Sequence, residues 1–315
     1  MNIVFLDART VGHEPNLAQF EQLTESTGGE FVSYPETTID QTAERLQGAD
    51  VVITNKARIT REVLDACPYL KLICVAATGT NNVDMAAAAE RSIPVKNVSG
   101  YSTHSVAQET FTMLLSLLNS SHYYDQYVKS GEYSRETIYT HLGRPFWELA
   151  GKRFGIIGLG AIGRQVAQIA AAFGAEVVYF SASGQTYDVP YQVLSLTELL
   201  RTCDVVSIHA PLTDKTNNLL TYSELGLMKP TAFLLAMSRG GMVNEADLAR
   251  ALDEGKLAGA GVDVFVQEPI SASHPYLTMA HPERMILAPH IAWSSIEARK
   301  TLMNRVAENI NQFKV

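Results

Sequence analysis

Apolar residues along this chain come in short continuous runs separated by amphipathic stretches. "NIVFLD", "EFVSYP", "ADVVIT", "KLICVAA" and "IPVKNV" fill the first third. "RFGIIGLG", "AEVVYF", "DVVSIHA", "TAFLLAM", "GAGVDVF" and "RMILAPH" follow. Strands that are apolar throughout bury both faces, as in parallel sheets covered by helices. The stretches between them carry helix-start chemistry. "SLTE" from Ser195 to Glu198 and "SSIE" from Ser294 to Glu297 match capping boxes. Asn244 precedes acids that favour a helix N-terminus. The alternation predicts an α/β fold with right-handed crossovers. "ADVVITN" at 49–55 echoes "CDVVSIH" at 203–209, which suggests two similar sheets.

The stretch from Ser102 to Gly131 has few breakers and predicts one long helix, or two in series. Another begins at Ser294, with Leu302, Val306, Ile310 and Phe313 at helical spacing. The predicted arrangement is two doubly wound, Rossmann- or flavodoxin-like domains. Residues 1–100 plus 291–315 form a substrate domain, and 101–290 a dinucleotide-binding domain. The active site is expected in the cleft between them.

Composition adds bounds. A chain of 315 residues is long enough for two domains. It is 46% hydrophobic and 18% charged, ordinary for a soluble globular protein. The net charge of −8 argues against nucleic acid or an anionic membrane as the main partner. No apolar run approaches the ~20 residues that span a bilayer. No basic leader precedes an apolar segment, so a cytoplasmic setting is expected. Cys67, Cys74 and Cys203 are scattered and odd in number. They are expected as small buried hydrophobes, neither a disulfide framework nor metal ligands, and no metal site is expected.

"GIIGLGAIGRQVAQIAAAFGAEVVYF" carries Gly158-x-Gly160-x-x-Gly163 between a strand and a helix, with a second strand after it. In that context the motif is a specific sign of dinucleotide binding. Gly158 permits the tight turn, Gly160 lets backbone approach a pyrophosphate, and Gly163 lets helix pack on strand. The amides of Ala161 and Ile162 would face the phosphates. The second strand should end on an acid for the adenosine ribose, but Ser181 stands there. Glu176 is at the wrong end of that strand. Ser181 removes a charge that would repel a 2′-phosphate, yet "SASGQ" supplies no cation to attract one. NAD(H) and NADP(H) both stay open.

Three strand ends carry reactive groups. "LLAMSRGG" presents Arg239, "GAGVDVFVQEP" presents Asp263 and Glu268, and "RMILAPHIAW" presents His290. Reducing a 2-keto acid needs a cation for the carboxylate and an acid for the forming alkoxide. Arg239 suits the first task and His290 the second. Glu268 could pair with His290 and fix its tautomer.

With "HAPLT", "SRGGMVNEADLARAL", "APHIAW" and "VAATGTNNVDMAAAAERSIPVKNVSGYSTHSVAQETFTMLL", these motifs make nearly the whole chain resemble the NAD(P)-dependent D-isomer-specific 2-hydroxyacid dehydrogenases. Within that family it is most similar to bacterial glycerate dehydrogenases, also called hydroxypyruvate reductases. The resemblance implies catalytic roles for Arg239, Glu268 and His290. It implies cofactor contacts at Thr103, Ala161, Ile162, Ser181, Ala210, Pro211, Met237, Ser238, Asp263, His290 and Ala292. Asp263 would meet the nicotinamide carboxamide. It implies substrate contacts at Thr78 and Gly79 of "AATGTNN" and at Lys56 of "TNKARI". A homodimer is implied, with the long helix at 102–130 at its interface. The expected reaction converts hydroxypyruvate or glyoxylate to the D-2-hydroxy acid. Other readings are another 2-keto acid, phosphite, or a dinucleotide-sensing protein like the related transcriptional corepressors. Glu109 stands where the family often has His, and Ala236 where it often has Asn.

Overall fold

A computed structural model describes residues 1–12, 15 and 17–313. The chain divides into two compact units, Met1–Ser102 with Ser294–Val315, and Thr103–Trp293.

The first unit holds β1 (Ile3–Phe5), β2 (Phe31–Ser33), β3 (Val51–Thr54), β4 (Leu72–Val75) and β5 (Val95–Lys96). All pair in parallel, in the order β2-β1-β3-β4-β5. Every residue of β1, β3 and β4 is buried, which is why these runs show no apolar–polar alternation. The order reverses between β1 and β3, a switch point of the kind where open α/β sheets bind ligands. The closing helix Ile296–Asn311 belongs to this unit and buries Leu302, Val306 and Ile310. Phe313 lies beyond its end and is half-buried. The cap of this helix is Ser295, whose hydroxyl accepts from the Ala298 amide. The capping box expected at Ser294 is therefore one residue out of register. Arg299 Nε donates to the Ser294 carbonyl at 3.1 Å, and Glu297, one place too early, is not the N3 residue of a box.

The second unit holds β6 (Arg153–Ile157), β7 (Glu176–Phe180), β8 (Gln192–Val193), β9 (Val205–Ile208), β10 (Phe233–Ala236), β11 (Gly259–Val262) and β12 (Met285–Leu287). They form one parallel sheet, β12-β11-β10-β9-β6-β7-β8, reversing between β6 and β9. The strand β8 is two residues long with both side chains exposed, too short to form an apolar run, so the pattern misses it. The helical stretch after Ser102 is two helices, Thr103–Leu118 and Ser121–Lys129, broken at Ser120, where φ is +48°. The first lies along β11. A Cβ on Gly259 would come 3.2 Å from Leu117 Cδ2, and one on Gly261 3.0 Å from Met113. Those two glycines let the helix approach the sheet. Ser195 with Glu198 forms the anticipated capping box, and Asn244 caps its helix through the Asp247 amide.

Cys67, Cys74 and Cys203 are free and buried. Burial pushes the thiols of Cys74 and Cys203 up to about 12, which keeps them unreactive. Among the described residues no helix is long and apolar enough to cross a membrane.

Candidate active site

Strand register builds the site in the second unit. Ile157 of β6 pairs with Phe180 of β7 and Ile208 of β9. Ile208 pairs with Ala236, Ala236 with Val262, and Val262 with Leu287. One residue further on, Gly158, Ser181, His209, Met237, Asp263 and Ala288 form a row along the carboxyl edge.

The glycine turn opens that row. Gly158 has φ +94°, and a Cβ on it would lie 2.5 Å from the Ala210 nitrogen. A Cβ on Gly163 would lie 2.2 Å from the Gly158 carbonyl oxygen. Neither position has room for a side chain. Gly160 differs, because a Cβ there meets no protein atom within 4 Å. It begins the Ala161–Ala172 helix without a side-chain cap. The first-turn amides of that helix, Ala161 and Ile162 among them, have no intrahelical acceptors and suit an anion. Ala210 and Met237 are buried, Ser238 half-buried and Pro211 exposed. Thr103 is the first residue of the long helix.

His209 adds a second sign. Its Nε2 lies 2.7 Å from Ser207 Oγ. Its Nδ1 is buried without a hydrogen-bond partner among the described residues. Burial drives the ring down to about 3, so it is neutral. An orphaned buried nitrogen is costly. Together with the open Gly160 it makes this edge fit a dinucleotide. In "HAPLT" only Ala210 and Pro211 are expected at the cofactor, and no local sign in the sequence marks the unpartnered His209 Nδ1. At the end of β7, Ser181 Oγ and Ser183 Oγ lie 3.3 Å apart. Glu176 is engaged by Arg153, whose Nη2 donates to it at 2.7 Å.

The next loops bring three reactive groups to the same edge. His290 Nδ1 donates to Glu268 Oε2 at 2.7 Å. The other oxygen, Oε1, accepts from the Phe265 amide at 3.0 Å. Both carboxylate oxygens are thus engaged, and Nδ1–H is the proton Glu268 holds. Nε2 is left as the reactive nitrogen. The Glu268–Pro269 peptide is cis. His290 sits at φ +54°, a left-handed conformation rare outside glycine. Asp263 holds that turn. Its Oδ1 accepts from Ile291 N at 2.8 Å and its Oδ2 from Ala292 N at 3.1 Å. Burial raises the Asp263 carboxyl to about 6, opposed by the two amides and His290, with Glu109 adding to the rise. The long helix also meets this loop, because Ser105 Oγ donates to the Ala292 carbonyl at 2.6 Å. Arg239 is exposed after β10, and its Nη1 donates to the Ser238 carbonyl at 2.7 Å.

Lys56, Thr78 and Gly79 lie in the first unit, past the carboxyl ends of β3 and β4. Lys56 is exposed on a turn built around Asp7, at the end of β1. Asp7 is buried and accepts from the amides of Asn55 (2.9 Å), Lys56 (2.5 Å) and Ala57 (2.7 Å). Burial raises its carboxyl against the pull of those three amides. Thr78 Oγ1 donates to the Val98 carbonyl at 3.1 Å, and Asn97 Nδ2 to the Thr78 carbonyl at 2.5 Å. The sequence reading missed Asp7. An acid closing the first strand of a doubly wound sheet was the available signal.

The Asp263 carboxyl has a pH consequence. Its folded value, about 6, lies above its ordinary 3.8, so the fold holds an extra proton between those pH values. Stability attributable to this group is full below pH ~4 and falls as pH rises through ~6, on the order of 1–3 kcal/mol. Urea titrations of the native protein and of Asp263→Asn across pH 4–7 should differ by a slope of that sign. Parallel curves would assign the Asp263 carboxyl an ordinary value.

Comparison with known proteins agrees with this geometry. Residues 111–292 match the model of the D-isomer specific 2-hydroxyacid dehydrogenase, NAD binding domain. The glycerate dehydrogenase of Methylorubrum extorquens is 35% identical over 285 residues, covering 90% of this chain and 89% of that protein. The NAD-dependent formate dehydrogenase of Staphylococcus aureus, solved with NAD, is 32% identical with a TM-score of 0.81, covering 99% and 95% of the two chains. An acyclic imino acid reductase, solved with NADPH and D-Arg, is 28% identical with a TM-score of 0.86, covering 99% and 96%. A glycine turn, an orphaned histidine and a Glu–His pair on one sheet edge thus stand in a chain that belongs to the D-isomer specific 2-hydroxyacid dehydrogenase family.

Proposed function

We propose that this chain reduces a small 2-keto acid, either hydroxypyruvate to the D-2-hydroxy acid D-glycerate or glyoxylate to glycolate. The observation that carries the reading is the 2.7 Å His290–Glu268 pair on the edge that also holds the glycine turn. The similarity to a glycerate dehydrogenase supports the substrate class. The nicotinamide, when bound, supplies the hydride to the keto carbon. His290 gives the carbonyl oxygen a proton from Nε2, while Nδ1–H stays on Glu268, which stabilises the charged ring. In the reverse direction His290 takes that proton back. Arg239 grips the substrate carboxylate with its planar fork. Lys56 and the amides of Thr78 and Gly79 are proposed further contacts with the acid. Asp263 keeps the His290 turn in shape and, having more lone pairs than the two amides use, also accepts from the nicotinamide carboxamide.

The cofactor is NAD(H) or NADP(H). Ser181 and Ser183 offer hydroxyls that suit either a ribose or a 2′-phosphate, and no charge that decides between them. The expected setting is the cytoplasm, whose reducing conditions suit three free thiols.

We also propose a homodimer built on the helices at 103–129. The chain following them leaves Ile138, Tyr139, Leu142 and Phe146 between 60% and 91% exposed, a run of large apolar residues that a second copy would cover. Sedimentation at micromolar concentration should give twice the chain mass; a single-chain mass would refute the dimer.

Two further measurements test the activity. Oxidation of NADH and of NADPH is followed with hydroxypyruvate, glyoxylate, pyruvate and longer 2-keto acids. Turnover is expected with hydroxypyruvate or glyoxylate, and no turnover with any keto acid would sink the enzyme reading. His290→Ala should then lower kcat by ~100-fold or more. Activity equal to the parent's would remove His290 as the proton donor.

A further inference from the structure

Behind the Glu268 loop sits a second carboxylate–histidine pair that the chemistry above does not use. Glu245 opens the Glu245–Asp253 helix, directly after its cap Asn244. Its Oε2 accepts from His274 Nε2 at 3.1 Å, with the two side chains only 16% and 9% exposed. His274 Nδ1 accepts from the Tyr276 amide at 3.3 Å, which leaves the ring proton on Nε2, facing Glu245. The Phe265 and Tyr276 rings flank the imidazole edge-on, at 5.9 and 4.8 Å between centroids.

The other Glu245 oxygen, Oε1, accepts from the Val266 amide at 2.8 Å. The preceding amide, Phe265, donates to Glu268. Two successive amides are therefore held by two glutamates, one from behind and one at the site. The same backbone bears on the Arg239 turn. A Cβ on Gly240 would lie 2.0 Å from the Phe265 carbonyl and 2.4 Å from the Val266 nitrogen, so the two backbones touch. Val266 itself is 67% exposed and has little packing to hold it.

We propose that Glu245 and His274 are positioning residues for the acid–base pair: they pin the Phe265–Val266 backbone, and through it set Glu268 against His290 and the turn that presents Arg239. The inference rests on the proposed roles of Glu268 and His290. It does not need either Glu245 or His274 to touch substrate. Misplacing a catalytic group by about an ångström costs up to ~100-fold in rate, and a loop held by one fewer charged hydrogen bond can drift that far.

The test is Glu245→Ala, assayed with NADH and the best keto acid from the panel. Expected are a kcat lower by roughly 10- to 100-fold, an NADH Kd within ~3-fold of the parent's, and a high-pH limb of the rate displaced to lower pH. That limb would move because a looser Glu268 supports the charged imidazole less. If Glu245 acts through Glu268, adding Glu245→Ala to Glu268→Ala should cost little beyond the single change. An equal further loss in the double variant would overturn the proposal. So would a folded Glu245→Ala with parental kcat and an unmoved limb, provided His290→Ala is impaired. Should His290→Ala be fully active, the catalytic reading falls and takes this inference with it. If Glu245→Ala does not fold, Glu245→Gln serves. It keeps an acceptor for Val266 but turns a donor toward His274, and a partial loss of kcat with the same limb shift is expected. Parental kinetics in Glu245→Gln, with Glu245→Ala unfolded, would make the pair merely structural and end the proposal.

Discussion

A parallel hydrogen-bond ladder is the constraint on which the rest depends. Each strand of the seven-stranded sheet is delivered to the same starting edge by a crossover, so each ends at the opposite one. Once Ile157, Ile208, Ala236 and Val262 are paired, the residues that follow them have no freedom along the strand direction. A slip of one residue would exchange the two buried faces of a strand, and side chains packed against one layer of helices would not fit the other. Gly158 must then meet Ala210 at a distance no side chain survives.

The ladder ends where the loops begin, and there carboxylates take over. Asp263 accepts two amides, while Glu268 and Glu245 accept one each and a histidine besides. In the other unit Asp7 accepts three. A charged acceptor makes hydrogen bonds worth roughly 1.5–3 kcal/mol, about twice a neutral one, which is enough to hold an irregular turn in one shape. The cost is desolvation, visible in the raised carboxyls of Asp7 and Asp263. Such loops trade ionisation energy for geometry.

Much of this was legible in the sequence. Unbroken apolar runs marked the long strands, because burial on both faces removes the alternation that would otherwise signal a sheet. The glycine turn was legible since Gly158 and Gly163 answer steric demands and Gly160 leaves open space for a ligand. Glu268 and His290 stood out as reactive types at strand ends, and they do meet. What escaped was whatever lacked a local signature. The strand β8 pairs through its backbone while exposing both side chains. Two adjacent serines left the cap of the last helix ambiguous by one position. Glu245 acts on an amide 21 residues away in the chain and a histidine 29 away, and Asp7, though an acid just after the first strand, on amides 48 to 50 away. No periodicity or spacing records a partner at that range.

The left-handed backbone at His290 narrows which sequences can occupy this edge. A β-branched residue there would fight its own main chain, and the strain would fall on the two following amides that Asp263 collects. Asparagine would tolerate the turn but could not shuttle a proton. Conformational tolerance and proton chemistry are thus demanded of one position at once. Few side chains satisfy both, so drift at this site is filtered twice, by shape before chemistry.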